Sequence, residues 1–252
     1  ARRIKELDII KTQLYANITH EFRTPLTVIL GMANQVKNNP EKHLHTGVDM
    51  IVRNGENLLN LVNEMLDLSK LEDGKMQLHH INGDIITFLR YIVESFQSLA
   101  SSQQKQFHFL SDIDELIVAF DAEKIRQIIT NLFSNALKFT AAQGNVYVSV
   151  SQEPIANTSN TMLTLRVKDT GIGIKKEQQV EIFESFAQVH ANDLKRRFGG
   201  TGLGLTISEK LVNLFGGTIV VESDLGQGAS FGFTLLFKKD IKLQPQVINV
   251  EN

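Results

Sequence analysis

Apolar residues recur at Ile4, Leu7, Leu14, Ile18, Phe22, Leu26, Ile29, Ala33 and Val36, a spacing of roughly 3.5 residues that predicts a helix with a narrow apolar seam. A second series, Leu44, Val48, Ile51, Gly55, Leu58, Val62 and Met65, alternates steps of four and three and predicts another such helix. The polar stretch KNNPEKH, residues 37–43, predicts the turn between them, short enough to make the helices antiparallel neighbours. Gly74 suits a helix C-cap after LSKLED. Two helices cannot enclose a core alone, so a dimeric four-helix bundle is the expected solution.

Beyond Gly74 the period changes. Short strands are predicted at 76–81, 105–112, 116–120, 145–153, 161–169, 217–223 and 230–237, and helices at 84–101, 122–138 and 202–214. The polar run within VSQEPIANTSNTML marks a hairpin. Groups of strands separated by helices predict an α+β sandwich, with helices packed on one face of a mixed sheet. The expected fold is therefore two-domain: an all-α antiparallel hairpin over 1–74, a linker and first strand over 75–82, a second domain over 83–240 and a tail over 241–252.

The 252 residues suit one large domain or two ordinary ones, and composition narrows the partners. A net charge of -2 gives no sign of a nucleic acid or an anionic membrane surface as partner. With no cysteine, disulfides and thiolate metal sites are excluded. No apolar run approaches the roughly 20 residues of a membrane span. The chain opens at Ala1 in helical sequence, without an initiator Met, which points to a piece of something longer.

Candidate chemistry begins at ITHEFRTPL, residues 18–26. His20 lies about 200° around the helix from Ile18 and about 160° from Phe22, so it faces solvent. Thr24 shares that face one turn on, Glu21 is about 100° away, and Pro25 is expected to kink the helix. A solvated polar face is the plain alternative. Pro25 argues against it, because a mid-helix proline costs roughly 3 kcal/mol.

On the helix over 122–138, Ile125, Ile128, Ile129, Leu132 and Ala136 form one stripe, while Asn131, Asn135 and Lys138 share a second face. Carboxamide oxygens beside an ammonium suit a hydrated Mg²⁺ and the phosphates it bridges. DTGIGI, residues 169–174, places Asp169 at a strand end before Gly171 and Gly173; a carboxylate there can accept a bond from an exocyclic amine. FGGTGLGLTI puts Gly199, Gly200, Gly202 and Gly204 before and into a helix, where backbone N–H groups can meet phosphates. Each glycine cluster alone fits a turn or bulge as well, and neither is a Walker A loop or a G-x-G-x-x-G fingerprint. His43 and His45 sit at the turn, His79, His80 and His108 on strands, and none has companions at metal-ligand spacing.

In this order the motifs closely resemble the catalytic core of a sensor histidine kinase. HEFRTPL (20–26) is similar to its H box, NLFSNALKFT (131–140) to its N box and DTGIGI to its G1 box. IFESFAQV (182–189) is similar to the F box and GGTGLGL (199–205) to the G2 box. The resemblance covers about 1–238 and points most to hybrid two-component sensors. One departure is Ser185, where that family commonly has proline.

The resemblance implies a homodimeric phosphotransfer hairpin followed by a Bergerat-fold ATP-binding domain. His20 would be the phosphoacceptor, Glu21 the base and Thr24 the residue orienting water in dephosphorylation. Asn135 would hold Mg²⁺, with Asn131 and Lys138 near the phosphates, Asp169 on the adenine amine and Phe139 close to the ring. Residues 175–200 would be the ATP lid, anchored by Phe183 and Phe186, with Arg197 reaching the γ-phosphate and Gly171, Gly173, Gly200, Gly202 and Gly204 lining the nucleotide.

The implied reaction is ATP-dependent autophosphorylation of His20 and transfer to an aspartate of a response-regulator receiver domain, with phosphatase activity toward that receiver. An imidazole is mostly neutral at cytosolic pH and so nucleophilic, and a neighbouring carboxylate acting as base is worth about 10²- to 10⁴-fold. The two sites lie on separate domains, so a swing is expected about Pro25 and 74–78. The resemblance places the segment in the cytosol, without direct membrane contact, and leaves anchoring of a longer protein in the bacterial inner membrane open. Two alternatives remain at this point: another Bergerat-fold ATPase, which would lack the hairpin with its His-Glu-x-x-x-Pro, and a nucleotide-binding scaffold with little kinase activity.

Overall fold

The computed structural model describes residues 2–187 and 201–238, with backbone alone for 2–15. The heptad rows form α1 (Arg2–Asn38) and α2 (Pro40–Glu72). The seven-residue turn expected over 37–43 shrinks to Asn39. Pro40 occupies the first helical position, where its missing N–H costs nothing, and the Asn39 carboxamide accepts the backbone N–H of Lys42 at 3.3 Å. Pro25 lies inside α1, which continues through it.

At the other end of α2, Gly74 adopts φ 64°, and the N–H groups of Gly74 and Lys75 close on the carbonyls of Leu71 and Lys70 at 3.2 and 2.9 Å. That is a Schellman cap, as the sequence implied. The α2 seam is offset from the expected one. Leu61 and Leu68 are buried, whereas Leu44, Val48 and Val62 stay exposed, as does Leu26 of α1. The buried pair joins the core of the following domain; the exposed row is the face a single hairpin cannot cover.

The second domain is built from β1 (Ile81–Asp84), α3 (Ile85–Glu94), α4 (Gln97–Ser102), β2 (Gln106–Ser111), β3 (Ile117–Phe120), α5 (Ala122–Phe139), β4 (Asn145–Pro154) and β5 (Asn160–Asp169), then α6 (Gln178–Glu181), α7 (Gly204–Leu214), β6 (Ile219–Ser223) and β7 (Ala229–Lys238). Five strands form a mixed sheet in the order β2-β4-β5-β7-β6, parallel only between β2 and β4. Strands β1 and β3 make a separate antiparallel pair.

Alternation decides which sheet face is covered. Val146, Val148 and Val150 of β4, Leu163, Leu165 and Val167 of β5, and Phe231, Phe233 and Leu235 of β7 all point inward and are buried. Against them pack Ile125, Ile128, Ile129, Leu132 and Phe133 of α5, with Leu211 and Val212 of α7. Phe133 anchors this layer: it is fully buried, with Phe96 and Phe107 edge-on at 5.1 and 5.5 Å. Phe133→Ala is expected to cost about 3–5 kcal/mol, read as a lower urea midpoint with an unchanged slope.

Two expected elements differ. The strand predicted at 76–81 is an extended linker, and pairing begins only at Ile81. The Asp121 carboxylate accepts the backbone N–H of His79 at 2.7 Å and takes the place of a neighbouring strand there. The helix predicted over 84–101 breaks between Glu94 and Gln97, where the Ser95 hydroxyl donates to the Ile92 carbonyl at 2.6 Å and competes with the helical backbone.

Candidate functional site

His20 stands on the open side of α1, its side chain 65% exposed. Nδ1 lies 3.6 Å from Glu21 Oε1, and the Glu21 side chain is turned into a half-buried position. One turn on, the Thr24 hydroxyl donates to the His20 carbonyl at 3.3 Å. Pro25 has no N–H to offer the Glu21 carbonyl, which loosens the helix just below the imidazole. One ring nitrogen thus faces a carboxylate, on a side chain that is otherwise largely open to solvent. That is the arrangement of a nucleophile with its base beside it.

Helix α5 carries a polar face as the i, i+4, i+7 spacing required. Its residues divide the work. Asn131 donates to the Ser208 hydroxyl at 2.7 Å and accepts from the Asn135 carboxamide at 3.4 Å, so it ties α5 to α7. Asn135 spends its nitrogen on that bond, and its oxygen accepts none among the described residues. Lys138 is half-buried, burial lowers its pKa, and its ammonium lies 5.0 Å over the Phe139 ring.

Asp169 closes β5 and is 5% exposed. Its Oδ1 accepts the N–H groups of Gly171 and Ala229 at 2.7 and 3.3 Å. Burial nevertheless outweighs both bonds and pushes the carboxyl above the usual aspartate range. Backbone approaches from two sides. A Cβ on Gly171 would run into the Phe139 carbonyl, and one on Gly228 into the carbonyl of Asp169 itself. Gly173 packs on the backbone of Asp224 in the same loop cluster. The second carboxylate oxygen accepts no bond among the described residues, and so can receive an amine.

The N-terminus of α7 has no side-chain cap and no acidic residue in its first turn. With its first N–H groups uncapped by any side chain among the described residues, it is a seat for an anion. Gly204 lies against the Asn131 carboxamide, which brings that helix end to the polar face of α5. The hydroxyl of Thr206 is buried nearby without a partner. Gly202, at φ 70°, packs on Phe186, whose N–H donates to the Gly202 carbonyl at 3.0 Å. Phe183 meets Phe231 edge-on at 6.3 Å. Arg197 and Gly200 lie outside the described residues.

Several contributors were missed by the sequence reading. Ser208 partners Asn131. Ser223 accepts the N–H of Ile174 and donates to the Gly228 carbonyl, at 2.8 and 2.7 Å, and so binds the DTGIGI loop to the DLGQG turn before β7. Glu64 of α2 accepts the Thr201 hydroxyl at 2.6 Å. Only Gly228 left a local trace, in the glycine-rich turn DLGQG before β7.

Comparison with known proteins agrees in both halves. A family model described as "His Kinase A (phospho-acceptor) domain" matches residues 10–74. A second, "Histidine kinase-, DNA gyrase B-, and HSP90-like ATPase", matches residues 120–239. The chain is 36% identical to hybrid signal transduction histidine kinase D of Dictyostelium discoideum, over 96% of this chain and 16% of that protein. It is 35% identical to the signal transduction histidine-protein kinase BarA of Escherichia coli K12, over 98% of this chain and 26% of that one. Among solved structures, full-length ShkA in complex with AMPPNP superposes with a TM-score of 0.67 at 30% identity, covering 90% of this chain and 46% of that one. The chain thus spans roughly a quarter or less of these two curated relatives.

Proposed function

Because this chain belongs to the histidine kinase family, with both its phosphoacceptor hairpin and its ATPase domain, we propose that it phosphorylates itself on His20 from ATP and passes the phosphoryl group to an aspartate of a response-regulator receiver domain. The observation that carries this reading is the imidazole of His20, 65% exposed and flanked at Nδ1 by the Glu21 carboxylate 3.6 Å away. The Nε2 lone pair attacks the γ-phosphorus, the bond to the bridging oxygen breaks and ADP leaves. The Nδ1 proton passes to Glu21, across a separation that shortens as charge develops on the ring.

The residues around the nucleotide fit ATP and a magnesium ion. Asp169 takes the adenine amine, with Gly171 and Gly173 giving the backbone room to approach and Phe139 beside the ring. The α7 N-terminus, with Gly202 and Gly204 in its approach, meets the phosphates, and Lys138 supplies positive charge. Asn131 steadies α7, and Asn135 offers its oxygen to the cation. Among the described residues no cluster of three His, Cys, Asp or Glu side chains could hold a metal alone. That suits an ion kept mainly by phosphates and water, as Mg²⁺ usually is. When bound, Mg²⁺ would neutralise charge on the phosphates. The resemblance adds Arg197 and Gly200 to the set.

Two hairpins pair through the exposed row Leu26, Leu44, Val48 and Val62, making a homodimeric four-helix bundle. The division runs at about residue 74, with the catalytic domain over 83–240. Among the described residues no helix is long and apolar enough to cross a membrane, and the need for ATP places the segment in the cytosol. Transfer requires a swing about Pro25 and 74–78; a crosslink across 74–78 that left autophosphorylation intact would exclude that hinge.

Purified chain with Mg²⁺ and γ-labelled ATP tests the function. Label stable to alkali, lost in acid and absent when the metal is chelated is expected; no incorporation, or acid-stable label, counts against it. Thr24→Ala should separate two activities. With its hydroxyl one turn from the imidazole, Thr24 orients water rather than binding ATP. Dephosphorylation of a phosphorylated receiver is expected to fall on the order of tenfold or more, with autophosphorylation nearly unchanged.

A further inference from the structure

The acidic flank of α2 meets the ATP-binding domain at three places. The Glu64 carboxylate accepts the Thr201 hydroxyl at 2.6 Å, the Asp67 carboxylate accepts the Gln127 carboxamide N–H at 3.0 Å, and Glu72 lies 3.6 Å from Lys210. Only the third is an ion pair. Among the described residues Glu64 and Asp67 face neutral groups, so there α2 presents two carboxylates without a cationic partner to the domain that takes the nucleotide. Burial and the neighbouring Asp67 push the Glu64 carboxyl above its usual range, with the Thr201 bond pulling the other way.

Thr201 sits in the glycine loop that leads into α7. Its hydroxyl also accepts the Leu203 N–H at 3.3 Å, and Gly204, three residues on, touches Asn131. The Glu64 carboxylate thus places negative charge on the loop that leads to the N-terminus of α7. A carboxylate and a polyphosphate held on one loop repel each other strongly in a partly desolvated setting.

We propose that Glu64, through Thr201, latches the hairpin to the nucleotide domain in a way that opposes ATP, so that loading of the triphosphate releases the latch and frees the domain to swing. The proposal rests on the ATP site described above and adds a coupling to it. Such coupling is reciprocal: whatever ATP does to the latch, the latch does to ATP affinity. The phosphates are the cause, so adenosine, which lacks them, is indifferent to Glu64.

The test compares the wild-type chain with Glu64→Gln, which removes the charge but keeps an oxygen to accept the Thr201 hydroxyl. Binding of Mg·ATP and of adenosine is measured by calorimetry. In parallel, a zero-length carbodiimide crosslink between Glu72 and Lys210 in the wild-type chain reports docking by mass spectrometry. Glu64→Gln is expected to bind Mg·ATP about fivefold to twentyfold more tightly, with adenosine affinity unchanged. Saturating Mg·ATP is expected to cut the Glu72–Lys210 crosslink severalfold, and adenosine to leave it. Unchanged or weaker Mg·ATP binding in Glu64→Gln, adenosine affinity moving with that of ATP, or a crosslink indifferent to Mg·ATP each overturns the latch. A wild-type chain that binds neither ligand would instead remove the ATP site on which the latch rests.

Discussion

His20→Gln is expected to reduce incorporation of label from γ-labelled ATP to background while nucleotide binding stays at the wild-type level. The side chain is 65% exposed and its ring touches only Glu21 among the charged partners described, so stability should move by less than about 0.5 kcal/mol. Glutamine keeps polarity and bulk but has no lone pair on nitrogen that can attack phosphorus. Among the described residues, His20 is the one histidine with a carboxylate within ion-pair distance. His43 and His45 lie within α2 and His79 within the linker, its N–H held by Asp121, while His108 stacks on Tyr147 at 4.9 Å and bonds Asn145 at 3.0 Å. None of these has a carboxylate at that distance among the described residues, so none of them should take over.

Asp169→Asn is expected to abolish function by a different route and to leave the fold intact. The asparagine oxygen can still accept the N–H groups of Gly171 and Ala229, so the loops stay closed. Its amide nitrogen then meets the adenine amine, donor against donor. A lost charge-assisted bond of about 1.5–3 kcal/mol with an unsatisfied donor in its place lowers ATP affinity on the order of a hundredfold or more.

Stability should go the other way. The Asp169 carboxyl is raised in the folded state, so its favourable contribution exists below the unfolded value and is lost as pH rises through the folded one. At neutral pH the ionised group is a cost that asparagine does not carry. Thermal unfolding at pH 7 should therefore occur at an equal or higher temperature in Asp169→Asn, with the difference shrinking toward acid pH. A variant that loses both ATP and its melting transition would show that Asp169 holds the fold rather than the nucleotide.

What was legible in the chain was what short periods and short motifs encode. The heptad rows gave α1 and α2, alternation gave the strands of the main sheet, and the solvent-facing position of His20 followed from its angle to Ile18 and Phe22. Errors arose where one residue type plays opposite roles. Pro40 reads as a breaker, yet at the first helical position it starts α2, so a long turn became a single residue. His79 and His80 alternate like a strand, but a carboxylate forty-two residues away, on Asp121, took the backbone N–H that a ladder would need.

The same limit applies to the site. Asp169, Asn135 and the glycine loops advertise themselves locally. That Asn131 serves Ser208, that Ser223 joins the DTGIGI loop to Gly228 and that Glu64 reaches Thr201 are matters of tertiary distance. The polar face of α5 was right as a face, and only the fold could show which of its amides is spent on α7.

The measurement that bears most directly on the central claim is phosphosite mapping of the wild-type chain after brief incubation with Mg·ATP, by mass spectrometry kept at alkaline pH throughout. One phosphoryl group on the peptide containing His20, localised to its imidazole, is the expected result. Phosphate on another histidine, or on a serine or threonine with His20 unmodified, would contradict it.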